Sequence, residues 1–120
     1  MSWHFDGQSP VFMQLIGTIR ADILSGKYPP ATQFPTVRQL ALDAAVNPNT
    51  VQKALSILET EGLVISRGTL GRFVTGDVAL LEDKRREIQT SYMQRAWQEA
   101  RKVGISKEKF IAFLQESEEN

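Results

Sequence analysis

A run of polar side chains in the middle of the chain is suited to reading the edges of nucleic-acid bases. The spacing of the apolar residues predicts a helix over 48–61. The apolar residues share one face of this helix. The opposite face is polar and consists of Asn49, Thr50, Gln52, Lys53 and Ser56. Asparagine and glutamine can form two hydrogen bonds to adenine, threonine can contact a thymine methyl, and lysine can reach guanine or phosphate. An ordinary solvated helix face is also polar, so this face alone leaves both interpretations open.

Three arginines and a glycine could add contacts to a phosphate backbone. Arg38 lies at the start of a preceding short helix, where a cation and backbone N–H groups can face a phosphate. Arg67, Gly68 and Arg72 lie at the tip of a predicted β-hairpin, where glycine allows the backbone to approach a sugar–phosphate edge or the minor groove closely. Taken singly, each is more often an exposed side chain or a tight turn. The occurrence of all four together in one small domain favours a binding surface.

The elements that must position these residues are three helices followed by a hairpin. An amphipathic helix is predicted over 10–26, and a second helix begins near Thr36 with Gln39 completing a capping-box pattern. The third is the polar-faced helix described above. Two β-prone runs, 63–66 and 72–75, flank the turn glycines. This order is that of a winged helix-turn-helix, which would bring Arg38, the polar helix face and the hairpin tip to one side.

The chain after Gly76 is predicted to be entirely helical. A long helix ends at Gly104, and a shorter helix capped by Ser106 follows. Two helices of this size cannot bury both Trp97 and the Phe110 region without another surface to pack on, so the arm is expected to form an oligomer. The candidate dimerisation residues are Leu81, Ile88, Tyr92, Ala96, Trp97, Phe110 and Leu114.

Composition limits the class of protein. A chain of 120 residues has room for one compact domain with an appendage. It contains no cysteine, which excludes disulfides, thiol catalysis and zinc fingers and favours a cytoplasmic location. No apolar run approaches the roughly 20 residues that span a bilayer, so no membrane partner is expected. The 14 basic and 14 acidic residues balance, so any binding of nucleic acid must depend on where the charges lie.

Motifs of common enzymes and of cofactor or metal sites are absent from the sequence. There is no Gly-x-Ser-x-Gly nucleophile elbow, no phosphate loop and no His-Glu-x-x-His motif. The acidic residues gather mainly in the helical tail, without an apolar pocket that would tune a pair for acid–base catalysis. His4 is the only histidine, which excludes a multi-histidine metal site. We therefore expect no enzyme activity, no cofactor and no metal.

The ordered motifs from Val11 to Val74 resemble the DNA-binding domain of the GntR family of bacterial transcription regulators. The matching runs are FPTVRQLA (34–41), VNPNTVQKA (46–54), LETEGLV (58–64) and GRFV (71–74). The run NPNTVQ and the short helical tail are similar to the YtrA-type branch, whose members lack the large ligand-binding domain of other branches. The resemblance covers about half of the chain with motifs in the right order and spacing.

The resemblance implies a role for each candidate residue. Arg38 would hold a phosphate or an operator guanine at the start of the second helix. Gly68 would lie in the minor-groove contact of the wing, which is the hairpin turn. The reading edge would consist of Asn47, Asn49, Thr50 and Gln52. The helical arm would form a symmetric dimer.

This sequence departs from many relatives at positions that bear on DNA recognition. Many have arginine where Pro48 and Gln52 stand here, so their operators cannot be transferred to this chain. Many also have Pro-Gly where this chain has Pro30-Ala31, which leaves the geometry of that loop open. Lys53 offers part of the missing charge, although a shift of one residue rotates a side chain by about 100° around a helix.

The prediction is a mainly α-helical protein with a small β-hairpin. A winged helix-turn-helix DNA-binding domain over residues 1–76 precedes a two-helix dimerisation arm over residues 77–120. The predicted function is a homodimeric repressor that binds a palindromic operator in double-stranded DNA through helix 48–61 and the 66–72 wing.

Two alternatives remain at this point. One is a winged-helix protein–protein adaptor that does not bind DNA, and the neutral net charge is compatible with it. The other is a DNA-binding regulator with a small-molecule effector in a groove lined by Trp97, Tyr92 and Phe110. Aromatic residues at this spacing are more often packing residues, so an effector is possible but not evident.

Overall fold

The computed structural model describes residues 3–117 and is mainly helical. Within this range the helices are α1 (Val11–Leu24), α2 (Val37–Ala44), α3 (Pro48–Thr60), α4 (Val78–Lys102) and α5 (Lys107–Glu116). Strands β1 (Val64–Ser66) and β2 (Arg72–Val74) pair antiparallel between α3 and α4. The predicted fold class, a winged helix-turn-helix followed by two helices, is confirmed.

Local side-chain signals determine where α2 begins and ends. The Thr36 hydroxyl accepts a hydrogen bond from the Gln39 backbone N–H at 3.1 Å, and the Thr36 N–H donates to Gln39 Oε1 at 2.8 Å. This is the predicted capping box, in which two otherwise unpaired donors of the first turn are satisfied. Ala45 ends the helix in the left-handed conformation, with φ of +55°. A turn of only a few residues therefore separates α2 from α3.

Helix α3 also begins and ends at its predicted signals. Asn47 caps its first turn, and Pro48 occupies the first helical position, where a missing N–H carries no penalty. Gly62 follows the helix with φ of +81°, and a Cβ at this position would lie 3.1 Å from Leu80 Cδ2. The positive φ favours glycine here, and a Cβ would also force the Leu80 side chain to shift slightly.

The hairpin is short, and its turn contains a single turn of 3₁₀ helix, Gly68–Leu70, which the sequence pattern did not predict. The register pairs Val64 with Val74 and Ser66 with Arg72. The Arg67 N–H donates to the Gly71 carbonyl at 2.8 Å and closes the turn. Gln33 supports it from the preceding loop, because its Nε2 donates to the Leu70 carbonyl at 3.0 Å. The wing turn is therefore closed by its own backbone and supported from the preceding loop.

The core of the helix-turn-helix lies between α1, α3 and the hairpin. Its fully buried side chains are Leu15, Ile19, Ile23, Val51, Leu55, Leu58, Leu63, Val64 and Val74. Helix α3 has its most extensive contacts with α1 and its next most extensive with α2. Burying one such aliphatic side chain stabilises a fold by about 1.5–3 kcal/mol, so α3 is held firmly with its polar face outward.

The chain divides into two compact units within α4, one up to Lys84 and the other from Arg85. In the first unit, Leu81 is 2% exposed. In the second, Trp97 stacks on Phe110 with 5.9 Å between ring centroids. The predicted division into a DNA-binding domain and a dimerisation arm concerns what each part does, and it stays a prediction. No helix among residues 3–117 is long and apolar enough to cross a membrane.

Candidate nucleic-acid interface

The outward face of α3 presents the predicted polar residues to solvent. The buried stripe on the opposite side of α3 is Val51, Ala54, Leu55 and Leu58. On the outward face, Asn49, Gln52 and Lys53 are exposed, and Thr50 is half-buried. Because packing fixes the helix and leaves the amide groups uncovered, their hydrogen-bonding capacity is available to a partner.

Asn47 differs from the other predicted reading residues because its side chain is already in use. Its Oδ1 accepts a hydrogen bond from the Asn49 backbone N–H at 2.8 Å. A cap of this kind contributes about 1 kcal/mol to helix stability. The side-chain oxygen of Asn47 therefore holds the first turn of α3 in place, and a base contact by this residue stays a prediction.

Lys53 lies at the edge of the polar face, next to the first turn of α1. Its ammonium Nζ is 3.9 Å from the centroid of the Phe12 ring. Val11, Phe12, Asn49, Thr50 and Lys53 line a cleft of about 340 Å³. A cation thus stands beside two of the predicted base-reading side chains.

Arg38 is exposed in the first turn of α2 and borders a groove that reaches the start of α3. The groove has a volume of about 500 Å³, and its other lining residues are Val37, Ala41, Leu42, Val46 and Pro48. These lining side chains are apolar, so Arg38 contributes the charge of this surface. It is placed where a phosphate beside the first turn of α3 could be bound.

The three predicted wing residues have different environments. Gly68 has φ of +58°, and a Cβ at this position would meet no atom within 4 Å. The left-handed backbone conformation therefore favours glycine, and the turn is open to a close approach. The exposed Arg67 lies over the Phe73 ring, 5.4 Å from its centroid. Arg72 Nε donates to Glu59 Oε1 at 2.5 Å, so much of the Arg72 charge is neutralised within the fold.

Sequence reasoning did not identify three residues that position this surface. They are Phe12 beneath Lys53, Gln33 beneath the wing turn, and Glu59 opposite Arg72. Phe12 lies within the amphipathic helix predicted over 10–26, and no local pattern pairs it with Lys53. Each of these contacts joins different elements, so a local sequence signal could not have revealed it.

The predicted dimerisation residues are not equally available to a partner. Leu81 is 2% exposed, so its own chain already covers its side chain. Tyr92 and Leu114 are 57% and 56% exposed, Ala96 is exposed, and Ile88 is half-buried. Trp97 and Phe110 are half-buried because their rings stack on each other. Phe113, which was not among the predicted residues, is exposed as well.

Comparison with protein families identifies the family to which this fold belongs. Residues 13–74 match the family described as "Bacterial regulatory proteins, gntR family". The chain belongs to the GntR family. The match includes α2, α3 and the hairpin, so it spans the exposed face of α3 and the wing. The GntR resemblance that the sequence motifs indicated is thereby confirmed.

GntR-family relatives match along much of the chain. The transcriptional repressor YtrA of Bacillus subtilis is 30% identical, over 90% of this chain and 84% of that protein. The structure of a GntR-family regulator from Listeria monocytogenes has 31% identity and a TM-score of 0.87, over 95% of this chain and all of that one. The DNA-binding domain of AraR, solved in complex with an operator, has 29% identity and a TM-score of 0.58, over 62% of this chain and 96% of that one.

Membership of the GntR family determines the broad function. The chain is a DNA-binding transcriptional regulator and not an enzyme, as the sequence predicted. Between Trp3 and Ser117, no group of three His, Asp or Glu side chains is placed to hold a metal ion. The surface formed by α3, Arg38 and the wing turn is therefore the candidate DNA interface.

Proposed function

We propose that this GntR-family protein is a homodimeric repressor that reads a palindromic operator through α3. The observation that carries the proposal is the exposed polar face of α3 on a helix that is rigidly packed against α1 and α2. The major groove is about 12 Å wide and admits an α-helix. Asn49, Thr50 and Gln52 are the side chains that would meet base edges.

The flanking groups would fix the position of α3 on the duplex. Arg38 would bind a phosphate or a guanine next to the first turn of α3. Gly68 and Arg67 would approach the minor groove at the wing. Phosphate contacts set register and orientation, whereas the amide groups of α3 supply the sequence preference. DNA binding would place the protein in the cytoplasm.

The exposed apolar side chains of the second unit support dimerisation. Tyr92, Phe113 and Leu114 are each more than half exposed, and a patch of exposed large apolar side chains is typical of a protein–protein interaction site. Leu81 is excluded from this proposal because it is buried. A two-fold dimer would present two α3 helices to half-sites about one helical turn (34–36 Å), or a multiple of it, apart.

Repression is proposed because a protein bound at an operator occupies DNA that the polymerase needs. A dimer bound at an operator blocks access of the polymerase to the same DNA, and the relative from Bacillus subtilis is named a repressor. A small-molecule effector is not included. Trp97 and Phe110, two of the three aromatic residues considered for an effector groove, already stack on each other.

Selection from a random duplex library at about physiological salt tests the proposal, with sequencing of the bound pool. We expect enrichment of an inverted repeat. Its two halves would give the half-site, and their separation would report the dimer geometry. Sedimentation of the same protein checks the dimer independently. A folded, dimeric protein that enriches no sequence would favour the adaptor alternative.

Replacing Arg38 tests the interface on the selected duplex. Loss of a charge-assisted hydrogen bond weakens binding by about 1.5–3 kcal/mol, so Arg38→Ala should lower operator affinity by roughly ten- to one-hundred-fold. Lys27, an exposed cation of the loop after α1, provides the matched control. Lys27→Ala should stay within about two-fold of wild type, because Lys27 is not part of the proposed interface and solvent largely screens a surface charge. Equal effects of the two substitutions would contradict the placement of Arg38 at the interface.

A further inference from the structure

Helix α1 contributes an aromatic ring to the edge of the candidate DNA interface. Phe12 is the second residue of α1 and is half-buried, whereas Lys53 is exposed on α3. The 3.9 Å separation of the Lys53 Nζ from the Phe12 ring centroid is that of a cation–π contact. Asn49 and Thr50 line the same cleft, so the ammonium is held next to the side chains proposed to read bases.

The ring holds this cation without neutralising it. Two other cations around α3 are paired with carboxylates, Arg20 with Glu61 and Arg72 with Glu59. The ion pairs among residues 3–117 do not include Lys53. An aromatic quadrupole attracts a cation but carries no net charge. The full positive charge of Lys53 therefore remains available to an anionic partner.

Restricting the Lys53 side chain in the unbound protein reduces the conformational entropy that is lost when DNA binds. A free lysine side chain populates many rotamers, and fixing it in a complex opposes association. A contact that already restricts the side chain in the unbound protein reduces this loss. Phe12 can do this from α1 without occupying the face of α3 that meets DNA.

We propose that Phe12 is a positioning residue for DNA binding, and that its ring holds the Lys53 ammonium ready to contact a DNA phosphate beside α3. This inference rests on the proposed function, because it requires α3 to enter a groove. It adds an α1 side chain to the determinants of affinity. It also assigns Lys53 to the phosphate backbone at the edge of the reading face and not to a base.

A double-mutant cycle on the full chain tests this positioning role. The probe is the fluorescein-labelled duplex enriched in the selection, and anisotropy measures affinity at several salt concentrations for wild type, Phe12→Leu, Lys53→Met and the double variant. The slope of log affinity against log salt is negative, and Lys53→Met should make it less steep by about 0.9 for each phosphate that is no longer neutralised. Phe12→Leu should weaken binding about two- to five-fold at fixed salt and leave the slope unchanged.

The coupling between the two residues is the decisive readout. In the Lys53→Met background, Phe12→Leu should cause no further loss of affinity. As a single substitution, Phe12→Tyr retains the ring and should bind like wild type. Thermal unfolding of each variant confirms that it is folded at the assay temperature. If Phe12→Leu does not fold, Phe12→Met takes its place, because methionine retains apolar volume without a ring.

Several results would overturn the inference. An equal effect of Phe12→Leu in both backgrounds would mean that Phe12 acts only through packing. An unchanged affinity of Phe12→Leu, or an unchanged salt slope of Lys53→Met, would also contradict it. These outcomes require that the wild-type protein binds the duplex. If wild type enriches no duplex, the proposed function fails and this inference fails with it.

Discussion

Arg72 of strand β2 donates through Nε to the Glu59 carboxylate near the end of α3, with 2.5 Å between Nε and Oε1. The two side chains are only 21% and 31% exposed, so solvent screens this pair less than a pair on the open surface. The pair ties the end of β2 beside the wing turn to the proposed reading helix. Under the proposed function, a wing that moved independently of α3 would lose its register on DNA, so this contact would link the two parts of the proposed interface.

Breaking this ion pair should lower stability by a modest amount. We expect Arg72→Gln and Glu59→Gln each to lower the free energy of unfolding by about 1 kcal/mol, near the upper end for ion pairs that are not fully buried. The double variant should be less destabilised than the sum of the two, because either substitution removes the same contact. Urea denaturation measures all four proteins. Strictly additive effects would show that the residues do not stabilise the fold through each other.

The amide side chains of α3 should determine base preference. Asn49→Ala and Gln52→Ala should each reduce discrimination at one operator position by about 1–3 kcal/mol, because a bidentate amide contact distinguishes adenine from other bases. Affinities for single-base variants of the selected duplex measure this effect. A loss that is uniform across all sequences would instead assign the residue to the DNA backbone.

Asn47 should act mainly on the stability of α3. Asn47→Ala removes the acceptor for the Asn49 N–H and should lower the free energy of unfolding by about 0.5–2 kcal/mol. Asn47→Asp is the control, because aspartate also caps helices well and should retain most of the stability. Chemical denaturation makes the comparison. If Asn47→Ala kept full stability and lost operator binding, its main role would be at the DNA.

The loop before α2 holds a residue in a strained conformation. Ala31 has φ of +64°, and its N–H lies 3.1 Å from the Val74 carbonyl and 3.3 Å from that of Thr75. A left-handed alanine costs about 1–2 kcal/mol, whereas glycine loses about 0.4–1 kcal/mol more in unfolded-chain entropy. Ala31→Gly should therefore stabilise the protein by about 0.5–1 kcal/mol.

An exposed alanine in an ordinary helical conformation provides the control for Ala31. Ala21 of α1 is exposed, and Ala21→Gly should destabilise the protein by about 1 kcal/mol. Thermal and urea unfolding of both variants would show opposite signs. A loss of stability in Ala31→Gly similar to that in Ala21→Gly would contradict the assignment of strain.

Asp22 should make stability depend on pH. Its Oδ2 is buried without a hydrogen-bond partner, and burial raises the pKa of this carboxyl above the ordinary 3.8, although Lys27 opposes the shift. Because the pKa is higher in the folded state, ionisation disfavours folding, and the stability present below about pH 3.8 falls as pH rises through the folded pKa. Asp22→Asn should therefore stabilise the protein more at about pH 7 than at about pH 4.

Denaturation of wild type and Asp22→Asn at several pH values measures this difference. Asp6→Asn, a substitution at an exposed carboxylate before α1, serves as the control for general charge effects. A stability difference for Asp22→Asn that did not change between the two pH values would contradict the role assigned to burial.

Most elements of the fold were predictable because their boundaries have local causes. The capping box of Thr36 and Gln39, the Asn47 cap and the Ser106 cap of α5 all lie where the sequence placed them. Each signal is a side chain that bonds a backbone group two or three residues away. Such contacts depend on nearby residues alone, so they are visible before the chain is folded.

The conformation of Ala31 could not be read from its residue type. Alanine favours right-handed or extended backbone, and the only sequence signal is that many relatives have glycine at this position. The left-handed conformation lets the Ala31 N–H reach the carbonyls at the end of β2. Packing of the loop against the hairpin therefore overrides a local preference of about 1–2 kcal/mol.

The sequence by itself determined the helices, the hairpin, the polar face of α3 and the resemblance to the GntR family, because these depend on periodicity, capping and ordered motifs. Tertiary structure alone decided that Phe12 lies beneath Lys53, that Glu59 pairs with Arg72, and that Leu81 is buried. The physical reason is that such contacts form between elements brought together by burial of the shared apolar core. Periodicity shows which face of a helix is buried, but only packing determines which side chains on neighbouring elements meet.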